Sequence, residues 1–230
     1  MTTTPVSFRP LAVPAAATPT INSRGSVLPS SLASIGALTA IAAMVAIHVL
    51  MAGSVDPVSQ TLSMYGVATA SSGLFAVACT ALALAVVSLA SHLPVMGRIS
   101  AYLGAVMLEL VVIFPTDAGS GALSLSAQIH RYAAAAAFVL LAVAIMSYLP
   151  QCSARLRHSM LVILVGVALA LLLTIAAALW PTLWSMDEWR GIPQRLLMFL
   201  EASAIAMFGL RVWRASVGRG VRNSAEVVAG

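Results

Sequence analysis

The chain has 230 residues, 60% of them hydrophobic and only 8% charged, with a formal net charge of +5. Soluble domains carry roughly 25% charged residues, so a soluble globular protein is excluded. The positive charge is not a nucleic-acid signature either, because the twelve basic residues are all Arg and sit mostly in tails and loops, where they set membrane orientation.

Residues 1–30 are rich in Thr, Pro, Ala and Ser, and their composition predicts a disordered tail. The apolar run from Ser31 to Ala52 exceeds the roughly 7–15 residues of a signal-peptide core and reads as helix 1. Helix 2 is expected from Val67 to Ser91, and helix 3 from Ile99 to Phe114, ended by Pro115. Helix 4 is expected from Ala127 to Leu149 and helix 5 from Ser159 to Trp180, each followed by Pro. Helix 6 is expected from Pro193 to Trp213, with Pro in the first turn, where its missing N–H costs nothing. Each run approaches the ~20 residues needed to cross a bilayer. The expectation is therefore an all-α polytopic membrane protein: a six-helix transmembrane bundle over residues 31–214, flanked by tails at 1–30 and 215–230.

The arginines set the orientation. Nine lie in the tails and the two loops on one side, and Arg131, Arg190 and Arg195 lie on the other. The positive-inside rule then predicts a multi-pass cell-membrane protein with both termini cytoplasmic. Trp180, Trp184 and Trp189 fall at the predicted outer boundary, and Tyr102, Tyr148 and Trp213 at the inner one, as a belt of amphipathic rings would. Cys79 falls mid-span and Cys152 in a loop, too different in depth for a disulfide. Small residues run along helices 1, 2 and 4, which favours close helix packing and leaves the oligomeric state open.

Ionisable groups in a membrane protein are costly and mark candidate sites. Asp56 precedes Pro57 as an N-cap would, and in a helix Asp56, Ser59 and Ser63 would share one face. Asp117, His130 and Arg131 lie at one depth on consecutive helices, and Arg195 opens helix 6 at the same level. Asp117 and His130 are the candidates for a metal site or an acid–base pair, and equally for a structural lock. Arg195 suits an anion such as a lipid phosphate, or a carboxylate partner in Asp117 or Glu188. His48 lies about a turn below the outer end of helix 1. Glu109, eight residues before Asp117, lies about 12 Å deeper, and Glu201 sits at a similar depth, so the two are candidates for an intramembrane proton or ion relay. Ser63 has His130 and Asp117 as candidate partners for nucleophilic catalysis, but no GxSxG, HExxH or Gly-rich phosphate loop is present.

Four segments carry a resemblance. The Asp56-to-Ser63 stretch, Phe114-Pro115-Thr116-Asp117, His130 and Gly191-Ile192-Pro193-Gln194-Arg195-Leu196 follow one another in an order that resembles the prokaryotic membrane family known as domain of unknown function 998. The resemblance covers about Leu32 to Arg214. It implies a six-helix membrane protein with no established activity, and it singles out Asp117, His130 and Arg195. It does not extend to Glu109 or Glu201. Outer-leaflet Ser, Asp and His are also similar in kind to those of seven-helix metal-dependent hydrolases such as ceramidases, although this chain has one helix fewer and lacks their paired final histidines.

The leading functional expectation is a non-enzymatic protein that binds a lipid or small amphiphile in an outer pocket of Asp56, Ser59, Ser63, Asp117, His130, Arg131 and Arg195. The alternatives are a metal-dependent intramembrane hydrolase and an ion- or proton-coupled transporter. No cofactor is expected outside the hydrolase reading. The expected partners are membrane lipids, not nucleic acid.

Overall fold

The computed structural model describes the backbone of residues 27–118, 122–180 and 186–229, with side chains over 31–118, 122–180 and 188–218. Within these limits the chain is helical. Helices α1 (Val27–Leu50), α3 (Ser72–Leu89), α4 (Val95–Ile113), α5 (Leu125–Tyr148), α6 (Ala154–Leu179) and α8 (Gly191–Ala229) are long, and α2 (Met64–Val67) and α7 (Met186–Trp189) are single turns. Short 3-10 turns extend α3 through His92 and α5 through Gln151.

Among the described residues six segments are long and apolar enough to span a membrane: Ser31–Leu50, Ser72–His92, Val95–Ile113, Leu125–Gln151, Ala154–Leu179 and Gly191–Gly218. Their outward faces are apolar: Leu38, Val45, Leu84, Val106, Val165 and Leu172 are all exposed. Water tolerates no such continuous belt, whereas lipid does. The expected six-span bundle is thus the observed one.

The boundaries differ instructively. Helix 2 starts at Ser72 rather than Val67, because Val67 belongs to the separate turn α2. Helix 3 starts at Val95, straight after Pro94 in extended conformation, and helix 5 at Ala154 after the extended Ser153. Hydropathy alone misses both starts, because Arg98, Arg155 and Arg157 dilute the first turns. Helix 6 does not stop near Trp213 but runs on to Ala229, so the expected flexible tail from 215 is helical backbone to that point. The expected N-terminal tail lies outside the described residues up to position 26.

Packing follows the small residues. Helix α1 lies in the groove of α3 and α8, α4 packs on α3 and α5, and α6 packs on α8. A Cβ on Gly36 would come within 2.6 Å of the Ala81 carbonyl, so only Gly allows α1 and α3 this approach. Ala33, Ala37, Ala85, Ala90, Ala101 and Ala202 are almost completely buried at the helix contacts. Both cysteines are free. Trp180 and Trp189 are exposed at one end, and Tyr102 and Trp213 are exposed as expected of a belt, but Tyr148 is buried and stacks on Phe208 at 3.5 Å. Trp184 lies outside the described residues.

Candidate functional site

The polar groups gather at the end of the bundle where α1, α4 and α6 stop and α5 and α8 begin. Their arrangement starts from one proline. Helix α4 reaches Ile113, and the next residue able to bond the Val111 carbonyl in helical register is Pro115, which has no N–H. That carbonyl needs another donor, and His130 on α5 supplies it. The Nδ1–H of His130 lies 3.0 Å from Val111 O and 2.8 Å from Phe114 O. Carbonyls only accept, so Nδ1 carries the proton. In the neutral ring, Nε2 is then an acceptor, and the Ser63 hydroxyl donates to it at 2.8 Å. Ser63 stands at the N-cap position of α2 but makes no capping bond, so its hydroxyl is committed to the histidine. His130 is buried and Ser63 half-buried.

Beneath this pair is a cavity of about 80 Å³. Its walls are apolar, with Met44, Phe75, Leu108, Val111, Ala137 and Met198 among them, while Ser63, His130 and Gln194 supply its polar groups. Gln194 Oε1 accepts from the Leu62 N–H at 3.2 Å.

Arg195 forms a second cluster. Its Nε donates to His48 Nε2 (2.8 Å), Nη1 to the Gln60 and Gly191 carbonyls (2.7 and 2.9 Å), and Nη2 to the Tyr65 hydroxyl (3.1 Å). His48 Nδ1 in turn donates to Met44 O at 2.7 Å. The guanidinium also sits 5.3 Å from the Tyr65 ring centroid, within cation–π range. Every one of these partners is uncharged, so the expected pairing of Arg195 with Asp117 or Glu188 is not what the structure contains. Gly191 makes the cluster possible: a Cβ there would lie 2.4 Å from Gln60 O and 2.5 Å from Pro57 O. Its N–H donates to Val58 O at 2.8 Å.

The seven residues expected to line one pocket therefore divide. Among them Ser63 meets His130 and Ser59 meets Asp56, but the two pairs do not join. The stretch after Asp56 makes turns instead of the helix that would align Asp56, Ser59 and Ser63, because α8 and its approach take its carbonyls: Val58 O by Gly191, Ser59 O by Arg190 and Gln60 O by Arg195. Asp56 instead closes a local turn, accepting from the Val58 N–H at 2.9 Å and from the Ser59 hydroxyl. Asp117 is not a partner of His130. It accepts from the Ser124 N–H and hydroxyl, both at 2.8 Å, while Ser124 caps α5 through the Ala127 N–H. Arg131 is exposed although His130 beside it is buried. The metal candidates Asp117 and His130 are thus each engaged elsewhere, and among the described residues no group of three or more His, Cys, Asp or Glu side chains is placed to hold a metal ion.

The deeper carboxylates do not pair. Glu109 accepts from the Thr80 hydroxyl at 3.3 Å. Glu201 is fully buried, and among the described residues neither of its oxygens has a hydrogen-bond partner. Glu109 and Glu201 therefore share no hydrogen bond through which a proton could pass directly. Sequence reasoning also missed Gln60, Tyr65 and Gln194. The one legible signal was Pro115 four residues after Val111, which leaves an unsatisfied carbonyl facing the next helix.

A multi-pass all-α membrane protein with a Ser–His pair above an apolar cavity is the class that this fold and site define. The chain belongs to the family described as protein of unknown function (DUF998), whose model matches residues 34–211. That span includes Ser63, His130, Gln194 and Arg195. No curated protein and no solved structure matches the chain.

Two predictions follow from these contacts. The Ser124 N–H and hydroxyl hold the Asp117 carboxyl below its ordinary range, as Ser59 and the Val58 N–H do for Asp56. A depressed carboxylate contributes stability above the unfolded pKa of about 3.9 and loses it as pH falls through the folded value. Stability against thermal unfolding in detergent should therefore fall below about pH 4, with a shallower acid decline in Asp117→Asn; identical acid profiles would refute the assignment. Separately, Glu201→Met should raise the apparent Tm, because an unsatisfied buried polar group costs about 1–3 kcal/mol. A lower Tm would mean that the carboxyl holds a partner.

Proposed function

We propose that this protein binds a small amphiphile, or the end of a lipid chain, in the cavity beneath Ser63 and His130. The polar head would face the hydroxyl, the imidazole and the Gln194 amide, and the apolar part would fill the space between Phe75, Ala137 and Met198. The observation carrying this reading is an apolar cavity with polar groups confined to three side chains, the pattern expected of a small-molecule site. Its size limits the guest. About 80 Å³ is roughly half of the ~150 Å³ apolar cavity that admits benzene, so it suits a short segment and not a whole lipid.

Arg195 takes a different role from the head-group contact first expected. Its Nε and both terminal nitrogens are already engaged, which makes it a lock between α1, the turn after Asp56, α2 and α8. The metal-dependent hydrolase draws less support because Asp117 is spent on Ser124, and the proton-coupled transporter draws less because Glu201 is isolated. The arginine distribution favours a site on the outer side with both termini in the cytoplasm.

The binding test is photolabelling in liposomes with a short diazirine-bearing alcohol, read by peptide mapping. Labelling should concentrate near Ala137, Phe138 and Met198, and should fall at least about five-fold when Ala137→Leu fills the cavity. Labels spread evenly over lipid-facing positions, unchanged by the substitution, would end this reading. For orientation, Ala118→Cys in intact cells should react with an impermeant maleimide added outside, since the native cysteines are buried; reaction only after permeabilisation would invert the topology.

A further inference from the structure

The geometry points to Ser63 as a nucleophile that accepts a short acyl group, with His130 as its general base. This deepens the binding reading and rests on it, since the acyl group would occupy the same cavity.

Three observations converge. The Ser63 hydroxyl faces Nε2 of His130 at 2.8 Å, the distance at which an imidazole takes a hydroxyl proton. The other ring nitrogen is held by two carbonyls, Val111 O and Phe114 O, which fix the reactive tautomer. These carbonyls belong to the C-terminal end of α4, where the helix dipole is negative and favours the imidazolium that forms during reaction. They stand where a carboxylate orients the histidine of a catalytic triad. The third observation is placement: the pair lines an apolar cavity that also contains the Gln194 amide, a hydrogen-bond donor for a developing oxyanion.

The chemistry balances with an ester and water. Ser63 Oγ bonds to the acyl carbon as its proton passes to His130 Nε2, and the carbonyl π pair moves onto oxygen. Collapse of this adduct expels the alkoxide, which takes the proton from Nε2 and leaves as an alcohol. Water then attacks the acyl-serine, giving its proton to Nε2, and expulsion of Ser63 Oγ returns that proton to the serine. The products are a carboxylic acid and free Ser63. The substrate class is an ester of a short acyl group, because about 80 Å³ holds only a few carbons.

The test uses the full chain in mild detergent, with p-nitrophenyl acetate, butyrate and palmitate and a short alkyl fluorophosphonate as probes. Intact mass and peptide mapping report adducts, and the diazirine alcohol reports binding in the same samples. One adduct per chain on Ser63 is expected, with acetate and butyrate reacting faster than palmitate. Ser63→Ala should abolish it, and His130→Gln should slow it at least about 100-fold. Ser159→Ala, whose hydroxyl bonds the Arg155 carbonyl at the other end of the bundle, should leave it unchanged. Absence of an adduct on Ser63 while the alcohol still labels the cavity overturns the nucleophile and leaves the binding reading standing. Loss of both signals in the wild type overturns both. Should His130→Gln fail to fold, the solvent isotope effect on wild-type acylation decides: a rate slowed about two-fold or more in D2O supports proton transfer to the base, and an unchanged rate refutes it.

Discussion

Carbonyl groups outside regular helix hydrogen bonding cannot be left to lipid, and at one end of this bundle two side chains bond such groups. Pro115 strips the Val111 carbonyl of its helical donor, and His130 Nδ1–H replaces it. Arg195 holds other carbonyls at the same end, Gln60 O in the turn after Asp56 and Gly191 O at the start of α8. An unmade hydrogen bond in such surroundings costs several kcal/mol, more than any single apolar contact in the core. The positions of α4, α5, α8 and the segment from Asp56 to Tyr65 all depend on these two residues.

The same constraint generates the candidate chemistry. A histidine that must donate through Nδ1 presents a lone pair on Nε2, and the only question left is what meets it. Here it is a serine at the rim of an apolar cavity. Structural lock and reactive pair are thus not competing descriptions of His130. The lock fixes the tautomer, and the tautomer makes the hydroxyl's partner a base. Arg195 differs: its Nε and both terminal nitrogens are engaged by neutral acceptors, and these bonds tie α1 and α8 to the segment that carries Ser63.

Glu201 stands apart from this economy. It is enclosed within the bundle with neither oxygen bonded among the described residues, and Glu109 accepts from Thr80 on α3. A relay needs groups in hydrogen-bond succession, and these two carboxylates are not. Depth along a helix brought them together in the linear reading, but Glu109 is on α4, which packs on α3 and α5, and Glu201 is on α8, which packs on α1 and α6.

Hydropathy and the spacing of prolines determined the six spans, because burial in lipid demands long apolar runs whatever the neighbours are. The ordered segments around Asp56, Phe114, His130 and Gly191 sufficed to place the chain in its family. The sequence also marked Ser63, His130, Asp117 and Arg195 as residues of one membrane level. Which of them touch was decided only by tertiary structure. Asp117 sits seven residues from Ser124 and closes a local loop, whereas Ser63 reaches His130 across 67 positions. Hydrogen-bond partners at that range depend on helix rotation and on which carbonyls a neighbouring element has already taken, and neither is encoded in depth or composition.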